Sequence, residues 1–490
     1  MQPKPPGRMF RIALIAGWVA VLACLFVNAA RRVGGPTGDF VHFFAAAKAM
    51  VRGDDIYTSG IGWYIYPPLL AFLYTPLVSL PPAAAQTVML VCNTALMLLS
   101  VFLATREFAY RFGARIGGWT TCAVALTAVL LTADKLKGEL QMWQTNMLLL
   151  FLFTSALCLL DRRPWLAGLA LGFAFNIKYW PIVLIPYLLL RRRWTAAAAF
   201  VASIVAFALL PAVETGWDVN LKNQAVAYRG LLRVVGLPAG AGEGANVPGL
   251  TAAMSVSIPS AAARLAGAGG SPQVGYAAAG LVGLTALAAT AWLYRRNGVA
   301  FLYRPDGLEN GDPATRAVVG LEWAGLLTAV LLFSPQTNPR HLSLLLFVQT
   351  AAALLLLCPR KGVARLPLLI GTTVLVLGLV LPPGDPFFGA RVGVWSAGAL
   401  EVWRFIGGPC WCALAMLAAL LWVGLQYARL PAPANTAVAR LAAWHNGAAI
   451  NPGTPATPSA ADSCLVHRHS RRSPSRPPCV ETPHPAAPGP

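Results

Sequence analysis

The residues best suited to chemistry in this sequence are an acid and two histidines that lie between its long apolar runs or at the end of one. Asp39 and His42 belong to "GDFVHFF" at residues 38–44, and His341 closes "SPQTNPRH" at residues 334–341. A positioned carboxylate can take a proton from an attacking hydroxyl, and an imidazole can act as acid or base. Asp39 is therefore a candidate base, although Gly-Asp before an apolar run also predicts a helix N-cap, and the two roles are compatible. His42, one turn further, is a neighbour that contacts substrate or a satisfied interfacial histidine.

Other polar residues lie near the ends of apolar segments and are candidates for substrate binding. A single polar residue there is a weak signal, because Tyr and Trp at membrane interfaces are usually anchors. Glu322 lies inside an apolar segment, where an ionisable group indicates function by default. The candidate binding residues, beside His42, are Tyr66 in "YIYPPL", Gln144 and Asn146 in "LQMWQTNMLLL", Lys178 in "NIKYWP", Asn246 in "ANVPGL" and Arg340 next to His341.

The composition predicts what kind of scaffold holds these residues. The chain is 57% hydrophobic and only 11% charged, whereas a soluble domain carries about 25% charged residues. Many apolar runs reach the roughly 17–25 residues that a bilayer span needs. The sequence therefore predicts an all-α polytopic membrane protein. Its twelve apolar segments are 12–29, 84–105, 118–133, 144–160, 164–176, 178–190, 194–213, 273–294, 317–333, 341–357, 366–381 and 406–426.

Charge placement predicts how these segments thread the membrane. "DRR", "RRR", "YRR" and "CPRK" each follow an apolar segment at what becomes the inner end when the amino terminus is inside. With this threading, Lys and Arg are about threefold denser in inner loops than in outer ones, as the positive-inside rule expects. Both termini are predicted to be cytoplasmic, and Asp39, His42 and His341 fall on the outer face. The predicted outer loops include 134–143 and two long ones, 30–65 and 214–272. The run 67–80, bracketed by proline pairs, predicts a re-entrant or surface helix, and "DVNLKNQAVAYRGLLRVV" predicts a helix along the membrane surface.

Several function classes are not supported. The net charge of +20 comes from clusters at segment ends, so it indicates topology and not nucleic-acid binding. The sequence has no P-loop, GxGxxG, DxD, HExxH or GxSxG pattern and no Cys/His metal spacing, so no cofactor or metal site is predicted. Residues 12–27 resemble a signal-peptide core, but an uncleaved first helix is preferred. Residues 431–490, rich in Pro, Ala, Ser and Arg and holding four histidines, predict a disordered cytoplasmic tail after a membrane domain at 1–430.

The order of the motifs resembles glycosyltransferase family 87, which includes polyprenyl-phosphate-mannose-dependent α-mannosyltransferases of actinobacteria. The resemblance runs from about residue 10 to 425. It is carried by "GDF", "GDDIY", "YIYPPLLAFLYTPLVSLP" (64–81), "QTNMLLLFL" (144–152), "NIKYWPIVLIPYLLLRRRW" (176–194), "NVPGL" (246–250) and "EWAGLLTAVLLFSPQTNPRHLSLLL" (322–346).

This resemblance implies a GT-C architecture, a bundle of about twelve transmembrane helices with juxtamembrane helices and an active site at the extracytoplasmic face of the cell inner membrane. The implied donor is a polyprenyl-phosphate-linked hexose, by default mannose, which reaches the site from the lipid. The acceptor is a lipid or glycan. Asp39 maps onto the usual base and His341 onto a second catalytic or phosphate-contacting group. Lys178, Arg340 or protonated His341 would support the leaving polyprenyl phosphate, and the displacement would be single and inverting.

The chain departs from the family pattern at two places. The turn reads Asn338-Pro339-Arg340-His341 where an aromatic residue and a second histidine are typical, and Trp143 stands where a glycine commonly precedes the Gln-x-Asn pair. Both departures bear on the identity of donor and acceptor. The main alternative is a transporter or flippase of lipid-linked saccharides. A protein O-glycosyltransferase or a non-catalytic scaffold would also share the fold.

Overall fold

The computed structural model describes residues 7–36, 38–58, 64–234, 237, 244–267, 271–299, 313–380 and 397–429. Across these residues the chain is helical and forms no strand, so the predicted all-α fold class is confirmed. The helices within the described ranges are α1 (Arg8–Ala30), α2 (Phe40–Arg52), α3 (Pro68–Tyr74), α4 (Pro82–Arg111), α5 (Gly118–Gln141), α6 (Asn146–Leu159), α7 (Pro164–Phe175), α8 (Leu184–Leu190), α9 (Trp194–Leu209), α10 (Ala212–Thr215), α11 (Trp217–Val234), α12 (Ile258–Leu265), α13 (Pro272–Arg296), α14 (Pro313–Phe333), α15 (Leu346–Leu357), α16 (Leu366–Val380), α17 (Ala397–Phe405) and α18 (Gly408–Arg429).

Within the described ranges, seven helices are long and apolar enough to cross a membrane, and each overlaps a predicted apolar segment. They begin and end at Arg8–Ala30, Pro82–Arg111, Gly118–Gln141, Trp194–Thr215, Pro272–Arg296, Ala314–Phe333 and Gly408–Arg429. The protein is thus a polytopic membrane protein, as the composition predicted.

The other five predicted segments correspond to shorter apolar helices. These are Asn146–Leu159, Pro164–Phe175, Trp180–Leu190, His341–Leu357 and Leu366–Leu379. Helices of this length do not reach across a hydrocarbon core of about 30 Å unaided. The twelve segments are therefore all helical, while twelve spans remains a prediction. Pro68–Leu77, bracketed by prolines, is also a short apolar helix.

The predicted end of one helix is wrong. Residues 134–143 were expected to be a loop between two apolar segments, but α5 continues to Gln141. Eight more residues are helical, and the charged groups Lys137 and Glu139 are buried within the protein. The error matters because it brings a second carboxylate next to the polar residues described below.

The centre of the bundle is formed by α14 and α15. In the most apolar window of α14, 72% of the residues are buried, against 11% in α13, which lies at the periphery. The ring centre of Phe153 in α6 lies 4.7 Å from that of Trp323, in a tilted arrangement, and 5.3 Å from that of Phe347, in an edge-on arrangement. Lipid tails give helices no hydrophobic reason to associate, so such packing contacts hold the bundle together.

Helices α7 and α9 approach closely through two glycines. A Cβ atom at Gly168 would lie 2.4 Å from the Ala196 carbonyl oxygen, and one at Gly172 would lie 2.4 Å from Ser203 Cβ. Small residues four apart allow this kind of close contact between membrane helices. At the end of α7, the Asn176 side-chain amide donates to the Gly172 and Ile204 carbonyls. The end of α7, two residues before Lys178, is thereby fixed to α9.

The surface helix predicted in the second long outer loop corresponds to α11 (Trp217–Val234). Its position relative to a bilayer stays a prediction. The predicted tail at 431–490, including its four histidines, lies outside the described residues.

Candidate active site

Polar residues from the ends of several helices meet in one place, which we call the polar cluster. Glu139 comes from the end of α5, Asn146 from the start of α6 and Lys178 from the connection that follows α7. Its members are Asp39, Tyr66, Glu139, Gln144, Asn146, Lys178, Arg340 and His341, each within hydrogen-bond or ion-pair range of another member.

Asp39 stands immediately before α2, but it does not cap that helix. Its backbone is already helical, with φ of −74° and ψ of −16°, and its carboxylate accepts no capping hydrogen bond. The suggestion that Asp39 is also an N-cap is therefore wrong. Instead, its backbone N–H donates to the Met142 carbonyl at 3.0 Å. The preceding Gly38 has φ of +80°, and a Cβ there would lie 2.9 Å from the same oxygen, so only glycine fits without displacement.

Three side chains surround the Asp39 carboxylate. Gln144 donates its amide to Oδ2, and the Tyr66 hydroxyl lies 3.5 Å from the same oxygen. Arg340 Nη1 lies 3.3 Å from Oδ1, and this pair keeps contact with solvent, since 41% of the arginine side chain and 23% of the aspartate side chain are exposed. The Gln144 amide and the Tyr66 hydroxyl therefore lie at Oδ2 of the carboxylate, and the partly exposed Arg340 lies at Oδ1.

Lys178 and His341 form the second half of the polar cluster. Lys178 Nζ donates to Asn146 Oδ1 at 2.8 Å and lies 3.2 Å from His341 Nε2. Its ammonium also lies 5.6 Å from the centre of the Tyr66 ring. With a lysine cation beside Nε2, the imidazole is best suited to be neutral and to accept there. The geometry therefore does not favour the protonated His341 that the sequence suggested as a support for phosphate.

Glu139 is a member that the sequence interpretation missed. It is fully buried. Oε1 accepts the Asn146 backbone N–H at 3.0 Å, and Oε2 accepts the Asn146 amide at 2.7 Å and the Ser343 hydroxyl at 3.2 Å. An acid at the end of an apolar run was the available signal, but placing residues 134–143 in a loop removed it.

The turn that carries Arg340 and His341 is held in shape by polar contacts. Asn338 Oδ1 accepts the Arg340 N–H at 2.9 Å. Ser255 donates to the Pro335 carbonyl at 2.9 Å, and Gln336 donates to the Pro248 carbonyl. The "NVPGL" segment thus braces the turn through its backbone, while the Asn246 side chain itself is exposed. Asn246 remains only a predicted substrate contact.

The structure explains one departure from the family pattern, Trp143. Trp143 is buried, has φ of +50° and donates its indole N–H to the Gln86 carbonyl at 3.0 Å. A left-handed backbone suits glycine best. This explains why a glycine is common at this position and why the tryptophan requires burial and a hydrogen bond to hold it.

His42 lies on α2, and its Nδ1 is buried without a hydrogen-bond partner among the described residues.

Glu322 belongs to a separate group, which we call the Glu322 cluster: Tyr187, Arg191, Tyr294 and Glu322. Arg191 pairs with both carboxylate oxygens, with Nε 3.0 Å from Oε2. The Tyr187 hydroxyl donates to Oε2 at 3.0 Å and the Tyr294 hydroxyl to Oε1 at 3.3 Å. The Glu322 carboxylate thus accepts four hydrogen bonds, two from Arg191 and one from each tyrosine. These contacts support a structural role for Glu322 instead of the functional role that the sequence indicated.

The electrostatics of the polar cluster follow from burial. Burial lowers the pKa of Lys178, and the nearby Glu139 and Asp39 partly oppose the shift. Burial raises the pKa of Tyr66 well above its usual range, so its hydroxyl stays protonated and can donate to Asp39. The described residues include no group of three or more His, Cys, Asp or Glu side chains placed to hold a metal ion.

The amino-acid sequence can now be compared with known proteins. The model of glycosyltransferase family 87 matches residues 64–304. An alpha-(1->3)-arabinofuranosyltransferase of Mycobacterium tuberculosis is 31% identical over 193 residues, which is 37% of this chain and 43% of that protein. A polyprenol-phosphate-mannose-dependent alpha-(1-2)-phosphatidylinositol mannoside mannosyltransferase of Mycolicibacterium smegmatis is 28% identical over 235 residues, 43% of this chain and 51% of that protein.

The resemblance to family 87 that the motifs predicted is thus confirmed. The matches span about two fifths to one half of the length of these curated relatives. The family match includes Tyr66, Glu139, Gln144, Asn146 and Lys178. It begins after Asp39 and ends before the turn with Arg340 and His341, so the roles of those residues depend on geometry and chemistry alone.

Proposed function

Since the chain resembles glycosyltransferase family 87, we propose that it is an integral membrane glycosyltransferase. It moves a sugar, by default the hexose mannose, from a polyprenyl-phosphate-linked donor to a lipid or glycan acceptor. One observation carries the proposal: a partly exposed carboxylate, Asp39, lies in the same polar cluster as the cations Lys178 and Arg340 and the imidazole of His341. A base for the acceptor and cations for a phosphate are the groups that this reaction requires.

Asp39 acts as the general base. The acceptor hydroxyl approaches the exposed side of the carboxylate, gives its proton to Asp39, and its oxygen attacks the anomeric carbon of the donor. Gln144 and Tyr66 donate to Oδ2, which leaves Oδ1 to take the proton once Arg340 moves away. Arg340 has room to move because its side chain is 41% exposed.

The bond from the anomeric carbon to the phosphate oxygen breaks as the new bond forms, and the electron pair leaves with the polyprenyl phosphate. Lys178 is the cation that stabilises this leaving group, with Arg340 turning from Asp39 to the phosphate. His341 accepts from Lys178 and keeps the ammonium directed into the cluster. The attraction between a cation and the leaving phosphate is stronger where the surroundings exclude water.

A single displacement fits this arrangement better than a double one. A double displacement needs a second carboxylate free to attack the sugar. The other carboxylate of the polar cluster, Glu139, is fully buried and uses both oxygens to accept hydrogen bonds from Asn146 and Ser343. One free base therefore supports inversion at the anomeric carbon.

The identity of the sugar is the part of the proposal that needs a direct test. The relatives are named for transfer of mannose and of arabinofuranose. The polar cluster offers Gln144, whose Oε1 is buried without a partner among the described residues, as an acceptor for a sugar hydroxyl. Mannose is the default because the mannosyltransferase relative covers more of this chain.

The proposed location is the inner membrane of the cell, with both termini cytoplasmic and the polar cluster at the extracytoplasmic face. Support comes from the concentration of Lys and Arg at one end of the segments, in "DRR", "RRR" and "CPRK". The cluster is formed by residues from the opposite ends of those segments. A lipid-borne donor would enter laterally, and no soluble nucleotide sugar would be needed.

Purified protein in proteoliposomes tests the proposal. The vesicles receive radiolabelled polyprenyl-phosphate-mannose or polyprenyl-phosphate-arabinofuranose, with lipid extract as acceptor, and product is resolved by thin-layer chromatography. We expect label to move from one lipid donor, and preferentially from the mannose donor, to a new glycolipid. Label that crosses the bilayer while still attached to its polyprenyl phosphate would support a flippase and contradict the proposal.

A further inference from the structure

Glu139 makes contacts that the proposed mechanism does not use. Its carboxyl group is completely buried, and in the ionised form it only accepts hydrogen bonds. The Asn146 side chain and the Ser343 hydroxyl both donate to Oε2, and the Asn146 backbone N–H donates to Oε1. A buried acid satisfied in this way has a cost of desolvation that good hydrogen bonds must offset. Its placement beside the catalytic candidates calls for an explanation.

The hydrogen bonds around Glu139 run in one direction. Asn146 Nδ2 donates to Glu139, which leaves Asn146 Oδ1 to accept from Lys178 Nζ at 2.8 Å, and Lys178 then faces His341 Nε2. The two ends of an asparagine amide are nearly isosteric, so its orientation is set by its partners. If the amide turned over, its NH₂ group would point at the lysine ammonium, and two donors would face each other.

We infer that Glu139 is a positioning residue: it fixes the orientation of Asn146 so that a carbonyl oxygen holds the Lys178 ammonium toward the reacting phosphate. The inference deepens the proposed function, on which its catalytic meaning rests. The positioning itself does not depend on which sugar or acceptor is used. Glu139 does not touch the substrate, and its effect reaches the reaction through Asn146 and Lys178.

The negative charge of Glu139 has a second consequence for Lys178. The charged and titratable groups that face this lysine are Glu139, Asp39, His341, the Tyr66 ring and, beyond His341, Arg340. Burial lowers the pKa of Lys178, and Glu139 is the largest influence in the opposite direction. Neutralising Glu139 should therefore lower the pKa of Lys178 further, so that the lysine loses its proton at a lower pH.

A pair of substitutions separates positioning from mere structure. Glu139→Gln cannot satisfy all partners, because its NH₂ must face either the backbone N–H or the side-chain NH₂ of Asn146. The double variant, Glu139→Gln with Asn146→Asp, again places an acceptor oxygen of residue 146 opposite Lys178. The new glutamine accepts the backbone N–H with its oxygen and donates to the new aspartate, whose other oxygen accepts from Lys178. The carboxylate moves one step closer to the lysine.

The experiment measures the protonation of Lys178 directly. Detergent-solubilised protein is labelled competitively with a small amine-reactive reagent across a pH series, and the label on Lys178 is quantified by mass spectrometry. We expect the titration of Lys178 to move to lower pH in Glu139→Gln and to higher pH in the double variant. Asp134→Asn is the control variant. It removes another acid of the same helix, one that pairs with Lys135, and it should leave the titration of Lys178 unchanged. The inference is overturned if Lys178 titrates alike in the wild type and Glu139→Gln, whatever reaction the protein performs.

Transfer from the labelled polyprenyl-phosphate donor supplies the second readout. Misplacing a catalytic group by about 1 Å can cost about 100-fold in rate, so we expect Glu139→Gln to lose up to that factor and the double variant to recover most of it. The loss should appear in kcat, with the basic limb of the pH profile moved to lower pH. Equal loss in both variants, with an unmoved limb, would indicate a structural role only. A wild type without transfer would refute the proposed function and leave the labelling result valid.

Discussion

The polar cluster and the Glu322 cluster both place charged groups inside a membrane protein, but they satisfy them differently. In the Glu322 cluster, one carboxylate receives Arg191, Tyr187 and Tyr294, and both charged side chains are almost completely buried. In the polar cluster, the Asp39–Arg340 pair is partly exposed and long, at 3.3 Å. The first arrangement is closed, and the second leaves groups free to exchange partners.

This difference teaches how buried charge divides between stability and activity. In a closed pair every charged group already has its partners within the protein and none is available to a substrate. Changing such a pair should therefore alter the stability of the fold. An open cluster holds the proposed base and cations, whose partners can change during a reaction, so changing it should alter turnover. The predictions that follow compare the two regions.

The largest effect on stability is expected in the Glu322 cluster. Glu322→Ala leaves the Arg191 guanidinium buried without its counter-charge, and removing one partner of a buried pair costs about 3–5 kcal/mol. Thermal unfolding in detergent and the yield of monodisperse protein measure this loss. Replacing both partners with apolar residues, as in Glu322→Leu with Arg191→Met, should recover much of it. A Glu322→Ala variant as stable as the wild type would refute the contrast.

The converse effect is expected at Lys178. Lys178→Met removes the cation that supports the leaving phosphate, and removing one such group costs about 10²–10³ in kcat. The unfolding temperature should fall much less than in Glu322→Ala. Asn146 Oδ1 and His341 Nε2 lose a donor, but the desolvation cost of the ammonium is removed with it. Transfer assays and thermal unfolding on the same preparation measure both quantities. Unfolding of Lys178→Met with normal activity in the folded fraction would reverse the assignment.

The pH dependence of transfer sharpens the role of the same residue. Burial lowers the pKa of Lys178, and the cation is present only below that pKa. Activity should therefore fall as pH rises, and it should do so below the ordinary lysine value of about 10.4. Lys178→Arg keeps its charge to much higher pH and should shift this limb upward, even at a reduced rate. An unchanged basic limb in the arginine variant would exclude Lys178 as its origin.

A smaller effect tests how the chain positions Asp39. Gly38 and Gly53 both adopt positive φ, at +80° and +75°, but only a Cβ at Gly38 meets other atoms, 2.9 Å from the Met142 carbonyl oxygen. Alanine strains the backbone at either site by about 1 kcal/mol. Gly38→Ala should in addition displace Asp39 and lower transfer about tenfold, whereas Gly53→Ala should leave transfer near normal. Equal activity in the two variants would show that this contact does not position the carboxylate.

Much of this could be predicted from the sequence, because a membrane protein encodes its helices as apolar runs and its sites as interruptions in them. All twelve apolar segments correspond to helices, and Asp39, Tyr66, Gln144, Lys178 and His341 meet in one cluster. These residues lie at segment ends, where a polar group is conspicuous.

The errors share a different physical origin. Glu139 was missed because α5 continues past the point where its sequence stops being apolar, which tertiary burial permits and hydropathy does not reveal. Glu322 looked functional because its partner Arg191 lies 131 residues away in the chain. The cap assigned to Asp39 failed because Gln144, Tyr66 and Arg340 occupy its carboxylate instead. Long-range pairing decided each case, and one sequence alone does not contain it.

The most direct test of the account is the activity of Asp39→Asn beside that of Asp54→Asn. Asp54 is an exposed acid paired with Arg52, so it controls for loss of a charge near the same helix. With labelled polyprenyl-phosphate sugar, Asp39→Asn should lose a factor of about 10²–10⁴ in transfer, the usual contribution of a general base, while donor binding and thermal unfolding stay near wild type. Asp54→Asn should remain active. Full transfer by Asp39→Asn would contradict the assignment of Asp39 as the base.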